Sequence, residues 1–336
     1  NHTTELTLTD PTPYYQLTPG TVIDAVESTD RLSDSRILAL NSYENRVYQI
    51  GLVDSSSIVV KFYRPGRWSR EQILEEHAFT KELVELEIPV IAPESFADKG
   101  TLIEFEDFQF AIFRQILGRP PELDKLDNLL VMGRFVGRIH AVGAINHFSH
   151  RKNFGVDRIA AESRSFLLDN DFIPPDLVNA YASLSSDLIE AIEQRLHSFG
   201  ELMTLRIHGD CHPGNVLWKE DKPHFVDFDD TMTGPAIQDL WMLLSGDRNQ
   251  RQAQLLQVVE GYNEFFDFRA EELELIESLR TLRLMHYSAW LAKRWSDPAF
   301  PQSFPWFNTD PYWANHILEL REQLAALDDP PLELLN

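Results

Sequence analysis

The sequence predicts an α+β fold of two lobes, a small antiparallel sheet with one inserted helix followed by a larger, mainly helical lobe. Three observations carry that expectation. Between residues 36 and 116, short runs rich in β-branched and aromatic residues alternate with polar turns. Beyond residue 122 the apolar positions recur at helical spacing over long stretches. One hairpin pattern, Leu205 to Asp227, interrupts those helices.

Residues 1–17 are rich in Thr and Pro and read as an N-terminal extension. Thr18 and Pro19 suit the N-cap and first position of a short helix reaching about Thr29. Strands follow as RILAL, RVYQI and SIVVKFYR, parted by NSYEN and GLVDSS. Ser69 caps a helix over SREQILEEHAFTKELVEL, with Ile73, Leu83 and Leu86 among its apolar positions, and Pro89 ends it. TLIEFEDFQFAIFRQI supplies two more strands, completing an N-lobe over 18–113. A hinge at 114–118 leads into a C-lobe over 119–336. There NLLVMGRFVGRIHAVG sets Val131, Phe135, Ile139 and Val142 at helical spacing. DLVNAYASLSSDLIEAIEQRLHSF, RQAQLLQVVEGYNEFF and EELELIESLRTLRLMHYSAWLAKRW are further helices, and a cleft is expected between the lobes.

At 336 residues the chain can bury a large core. Its 30 Lys and Arg against 53 Asp and Glu give a formal net charge of −23, which repels nucleic-acid phosphates and anionic membrane surfaces. Neither nucleic acid nor membrane is an expected partner, and a nucleotide would need a placed Lys or a divalent cation. A single Cys allows no internal disulfide, and there is no run of about 18 apolar residues. Without a basic segment leading into an apolar one, a cytoplasmic, monomeric protein is the expectation.

The chemistry concentrates in LRIHGDCHPGNVLW, Leu205 to Trp218. Asn215 and Asp227 flank the polar turn KEDKP symmetrically about Asp221, so antiparallel pairing is expected to set them side by side. Asp210 lies five residues before Asn215, on the loop leaving the strand LRI. An Asn amide oxygen and an Asp carboxylate are hard ligands of the kind Mg²⁺ prefers, while a nearby carboxylate can take a hydroxyl proton. The spacing Asp-x-x-x-x-Asn followed by a strand-terminal Asp is that of phosphoryl transfer in protein-kinase architecture. Taken singly, each residue reads as an ordinary loop Asp or Asn. A zinc site on His208, Cys211 and His212 lacks the usual ligand spacings. Cys211 reads as a small buried hydrophobe, His208 as structural and His212 as a loop residue. GDCH lacks the later elements of binuclear metallophosphoesterases.

In SIVVKFYR, Ile58, Val60 and Phe62 share one face while Val59, Lys61 and Tyr63 share the other. Alone, Lys61 reads as a solvated lysine on an edge strand. Beside the Asp210 motif it suits the phosphates of ATP. Glu75 and Glu76 are candidates to hold it, and Glu76 is preferred because it shares a helix face with Ile73 and Leu83. Between the first two strands, where kinases carry a Gly-rich loop, LNSYENRVYQ has no glycine. Backbone amides and the Ser42 hydroxyl remain to meet phosphate oxygens.

On LNSYENRVYQ, VVKFYRP, QILEEH, HGDCHPGNVLW, FVDFDD, GPAIQDLWMLL and DPAFPQSFPW, the chain resembles the aminoglycoside-phosphotransferase-like and choline-kinase-like branch of the protein kinase superfamily. The resemblance runs from about Leu17 onward. DPAFPQSFPW is a family marker without a catalytic reason in the sequence, and packing is its expected use. The resemblance implies a two-lobed kinase-like fold and an ATP- and Mg²⁺-dependent serine/threonine protein kinase of bacterial stress responses. It implies Asp210 as catalytic base, Asn215 and Asp227 as Mg²⁺ ligands, and Asp227 as catalytic too. Ser42 takes an ATP-site role, and Asp239 braces the catalytic loop backbone. Pro213 should stiffen that loop.

Two other readings stand beside the protein kinase. One keeps the fold but makes the acceptor a small alcohol, as in aminoglycoside, choline or homoserine kinases. The other, a non-catalytic nucleotide binder, does not account for Lys61, Asp210, Asn215 and Asp227 together.

Overall fold

The computed structural model describes residues 13–334, so most of the N-terminal extension lies outside the described residues. The first helix, α1 (Pro19–Glu27), starts as expected, with the Thr18 hydroxyl accepting from the Thr21 amide and Pro19 in its first turn. Strands β1 (Ser33–Ala39), β2 (Arg46–Leu52) and β3 (Ser57–Phe62) precede α2 (Arg70–Glu85), and β4 (Ile103–Phe105) and β5 (Phe108–Arg114) follow it. They form one antiparallel sheet in the order β1-β2-β3-β5-β4. Ser69 and Gln72 close a reciprocal capping box at the start of α2.

Strand β3 is the middle strand, pairing Lys61 with Val47 on one side and Ala111 on the other. Period-2 alternation sends Ile58, Val60 and Phe62 into a core shared with Val22 and Val26 of α1. Val59 and Lys61 face the cleft instead.

Residues 115–118 run without regular structure into the helical lobe. Its helices are α3 (Leu126–Gly143), α4 (Glu162–Asp169), α5 (Val178–Phe199), α6 (Arg248–Tyr262), α7 (Ile276–Lys293), α8 (Ala299–Ser303) and α9 (Asp310–Ala326). α3 and α6 pack backbone to backbone: a Cβ on Gly133 would lie 2.0 Å from the Val258 carbonyl oxygen. α2 belongs to the sheet lobe in sequence, yet its buried Phe79 and Leu83 join the core of the helical lobe.

Four short strands carry the motif region. β6 (Leu205–Ile207) pairs with β9 (Met232–Gly234), and β7 (Val216–Lys219) pairs with β8 (Lys222–Phe225). The expected side-by-side pairing of Asn215 with Asp227 is not observed. β7 and β8 turn through two residues, Glu220 and Asp221, both at positive φ. Val216 therefore opposes Phe225, and the Val226 amide donates to the Asn215 carbonyl at 3.0 Å, leaving Asp227 one residue beyond the pairing.

Candidate active site

The lobes enclose a cavity of about 930 Å³, into which the loop after β6, the loop after β8 and the sheet face bearing Lys61 all project. The first of these loops is fixed from below. Asp239 accepts the His208 amide at 2.7 Å and the Gly209 amide at 2.8 Å, and His140 at 2.9 Å holds the same carboxylate. His208 is structural, its Nε2 2.9 Å from the Val226 carbonyl oxygen, which ties the loop after β6 to the loop after β8. Gly209 sits at φ +88, and a Cβ there would lie 2.2 Å from the Asp230 carbonyl oxygen. Only glycine suits that place, for conformation and space together.

Asp210 follows directly. Its Oδ1 accepts from Arg283 of α7 at 2.5 Å, and its Oδ2 lies 3.5 Å from His212 Nε2. Burial would raise the pKa of this carboxyl, but His212 and Arg283 outweigh it and hold the group well below the usual carboxylate range. The Asn215 side-chain amide donates to the Asp210 carbonyl at 3.0 Å, so its own oxygen is the end left for a ligand. Cys211 is buried, and burial pushes its thiol well up, so it is no nucleophile.

Across the cavity, the buried Lys61 Nζ lies 3.0 Å from Asp227, 3.0 Å from Asp229 and 3.9 Å from Glu76. Burial opposes its charge, but the three carboxylates win and its pKa rises well above that of free lysine. Asp227 is held in the left-handed region, φ 59 and ψ 63, and its side chain is half-exposed. Glu76 is the helix carboxylate near Lys61, although its shorter contact, 2.6 Å, is to Arg151. Burial pushes the Glu76 carboxyl up to about 7 against the pull of Lys61 and Arg151. Glu75 points elsewhere and accepts the amides of Ser149, His150 and Arg151 at 2.5, 2.8 and 2.7 Å.

Four partners here went unassigned in the sequence. Asp229 is buried, pairs with Lys61 and Arg67, and stands in the quoted FVDFDD. Arg67 also reaches Asp230 at 2.6 Å, and the segment RPGRW straight after the lysine strand was its available signal. Arg151 and Arg283 lay in segments without a motif.

Ser42 lines the cavity and donates to the Asn45 carbonyl at 3.2 Å within its loop. That loop is fastened to the other lobe. Glu44 pairs with Arg294 at 2.7 Å and accepts from the Trp290 ring nitrogen at 2.5 Å. Asp297, in the segment DPAFPQSFPW, pairs with Arg46 at 2.9 Å and Arg64 at 2.8 Å. Phe304 of the same segment packs on Tyr43, with ring centroids 4.7 Å apart.

Asn215 and Asp227 present hard oxygens and fit a hard divalent cation. Among the described residues no group of three or more His, Cys, Asp or Glu side chains is placed to hold a metal unaided. Phosphate and water oxygens would therefore complete the shell.

Comparison with known proteins gives the family. The family model described as a phosphotransferase enzyme family, APH, matches residues 36–273. The chain is 44% identical to stress response kinase A of Escherichia coli strain K12 over 321 residues, covering 96% of this chain and 97% of that protein. It is 43% identical to serine/threonine protein kinase RdoA of Salmonella typhimurium strain LT2, with the same coverage of 96% and 97%. Among solved structures, amicoumacin kinase hAmiN in complex with AMP-PNP, Ca²⁺ and Ami shares the fold with a TM-score of 0.69 at 17% identity, over 91% of this chain and 92% of that one. Choline kinase LicA from Streptococcus pneumoniae shares it with a TM-score of 0.64 at 13% identity, over 91% and 98%. The chain belongs to the phosphotransferase enzyme family and is a kinase, a phosphotransferase with an alcohol acceptor.

Proposed function

We propose that the chain is an ATP- and Mg²⁺-dependent serine/threonine protein kinase of a bacterial stress response, acting in the cytoplasm. The observation that carries the reading is the ion pair of Lys61 with Asp227, 3.0 Å long, in the one cavity that also takes Asp210 and Asn215. The name of the relative at 43% identity, serine/threonine protein kinase RdoA, supports the protein acceptor, and that of the relative at 44%, stress response kinase A, supports the stress response.

In this reading Lys61 meets the phosphates, with Glu76 as its positioning residue, and Ser42 and its loop amides cover them. Asn215 and Asp227 would hold the divalent cation, which would neutralise phosphate charge. The acceptor oxygen bonds to the γ-phosphorus, the bond to the bridging oxygen breaks and ADP leaves. The hydroxyl proton passes to the Asp210 carboxylate. A carboxylate kept so acidic is a weak base, which suits a loose transition state where orienting the hydroxyl matters more than pulling its proton.

Asp210→Ala is expected to cut transfer by roughly 10²–10⁴-fold while ATP still binds, read by label transfer and by calorimetry. Asp227→Ala should weaken Mg²⁺–ATP binding as well. Full transfer by Asp210→Ala would sink the assignment. Label on small alcohols and on no protein would replace the protein acceptor with an alcohol of low mass.

A further inference from the structure

The chain is strongly acidic, yet one rim of the cavity is basic. Arg158 lines the cavity, with its Nη2 4.0 Å from the sulfur of Met232. The methyl of that same Met232 lies against Gly209, the neighbour of Asp210. Arg158 is thus one side chain removed from the catalytic loop. Its buried Nε has no hydrogen-bond partner among the described residues, and its Nη2 has only the Asn153 carbonyl at 3.3 Å besides the sulfur.

Two lysines extend this rim. Lys293 is seven residues beyond His286 on α7, so it shares the helix face by which His286 and Trp290 line the cavity. Lys152 is held at the edge by the Thr233 amide, which donates to its carbonyl at 3.1 Å, while the next residue but one, Phe154, lines the cavity. Neither lysine nor Arg158 forms an ion pair among the described residues, whereas neighbouring Arg294 is matched by Glu44 at 2.7 Å and Arg67 by Asp230 at 2.6 Å. The acids that act on the three are Glu162 and Asp230, and Asp230 is already engaged by Arg67.

His286 reports the resulting field. Burial lowers its pKa first, and the four charges that act on it, Lys293, Arg294, Arg158 and Arg67, are all cations and carry it down to about 4. A neutral imidazole among four cations, two of them without an ion-pair partner among the described residues, is a place where an anion is welcome.

We propose that Lys152, Arg158 and Lys293 select the acceptor: the protein segment that presents the Ser or Thr hydroxyl to Asp210 carries a carboxylate or phosphate group beside it. This deepens the kinase reading and rests on it. Arg158, stripped of water on one edge and in need of an acceptor, meets the anion nearest the hydroxyl. The two lysines, at exposed positions with their ammonium groups over the rings of Trp68 and Phe166, take the next one. A cationic acceptor would meet repulsion at the same rim.

The test uses the full chain with Mg²⁺–ATP and matched Ser and Thr peptides whose flanks carry Asp or phosphoserine, Ala, or Lys. Acidic peptides should exceed Ala peptides in kcat/KM on the order of tenfold, as two or three partly exposed ion pairs would give. That ratio should fall at high salt and collapse towards one in an Arg158→Ala, Lys293→Ala double variant. Arg158→Lys should keep much of it. Should the double variant fail to fold, Lys293→Ala alone, at an exposed position, must still lower the ratio. Equal rates on acidic and Ala peptides, or an acidic preference untouched in the variants, would overturn the proposal and leave the protein kinase intact. Label on small alcohols alone ends the protein-kinase reading. The rim is then judged by the preferred alcohol: hydroxy acids support it, and amino alcohols overturn it. No label on any acceptor overturns both.

Discussion

Two neighbours set the charge of Asp210, and they differ in what they allow. His212 is bound into its own loop, its Nδ1 accepting the Gly214 amide at 3.0 Å. Arg283 reaches in from a helix and is partly exposed, so it can be removed without disturbing the loop. In Arg283→Ala, burial is opposed by His212 alone and the carboxyl pKa rises. With Asp210 as the proposed base, more of it is then protonated at a given acid pH, so the acid limb of kcat/KM should move to higher pH, with Arg283→Lys restoring it. A profile carried from neutral pH down through the ordinary carboxylate range, about pH 4, checks this, and an unmoved limb would remove Arg283 from the site. Asp210 and Asn215 could be read from the sequence because both stand on one short loop whose spacing is itself the constraint. Arg283 could not, since helical periodicity of α7 tells which residues share a face but not which loop that face meets. Glu75 and Glu76 show the same limit at adjacent positions. Their burial differs by one step around the helix, and only the tertiary contacts separate a cap for the 149–151 backbone from a carboxylate beside Lys61.

The helical elements α3 and α6 meet through glycine, and the contact is backbone on backbone. The Val258 carbonyl cannot swing aside as a side chain could, so Gly133→Ala should destabilise the protein by about 1–3 kcal/mol. The expected readout is a lower urea midpoint with an unchanged slope, and an unchanged midpoint would show that the helices can slide apart freely. Most elements of the sheet and the long helices were readable from periodicity, because each has one buried face. The β7–β8 register was not. KEDKP reads as a single polar turn because Pro is a turn residue, but Pro223 lies in β8 opposite Trp218. Trp218 directs its own amide and carbonyl outward to Arg119, at 2.6 and 3.2 Å, so no amide is demanded of the proline. The turn shrinks to two residues and the pairing shifts by one. α9 was also passed over, since its buried residues lie on a face that packs against α5 and α7 rather than in a motif.

At the scale of the molecule, the division into two lobes followed from sequence texture, whereas the contacts that join them did not. Arg46 and Asp297 are 251 positions apart, and no local pattern marks such a pair. DPAFPQSFPW reads as packing, and its Phe300 and Phe304 are indeed buried. Its Asp297 does more, gripping Arg46 at the end of the loop that carries Ser42 and Arg64 just past β3. Among the described residues no helix is long and apolar enough to cross a membrane. Asp297→Ala should free that loop, speeding ADP release in a stopped-flow experiment while the wild-type release rate rises with salt. Equal release rates in both would show that the loop is held by Tyr43 and Glu44 alone.

A glycine-rich flap opens on its own, one hinge at a time. Here the loop proposed to cover the phosphates is riveted to the opposite lobe by charge. In that reading spent nucleotide would leave only when the two halves part, so the pace of turnover would be set by the ionic strength and temperature of the surroundings rather than by the phosphoryl step itself.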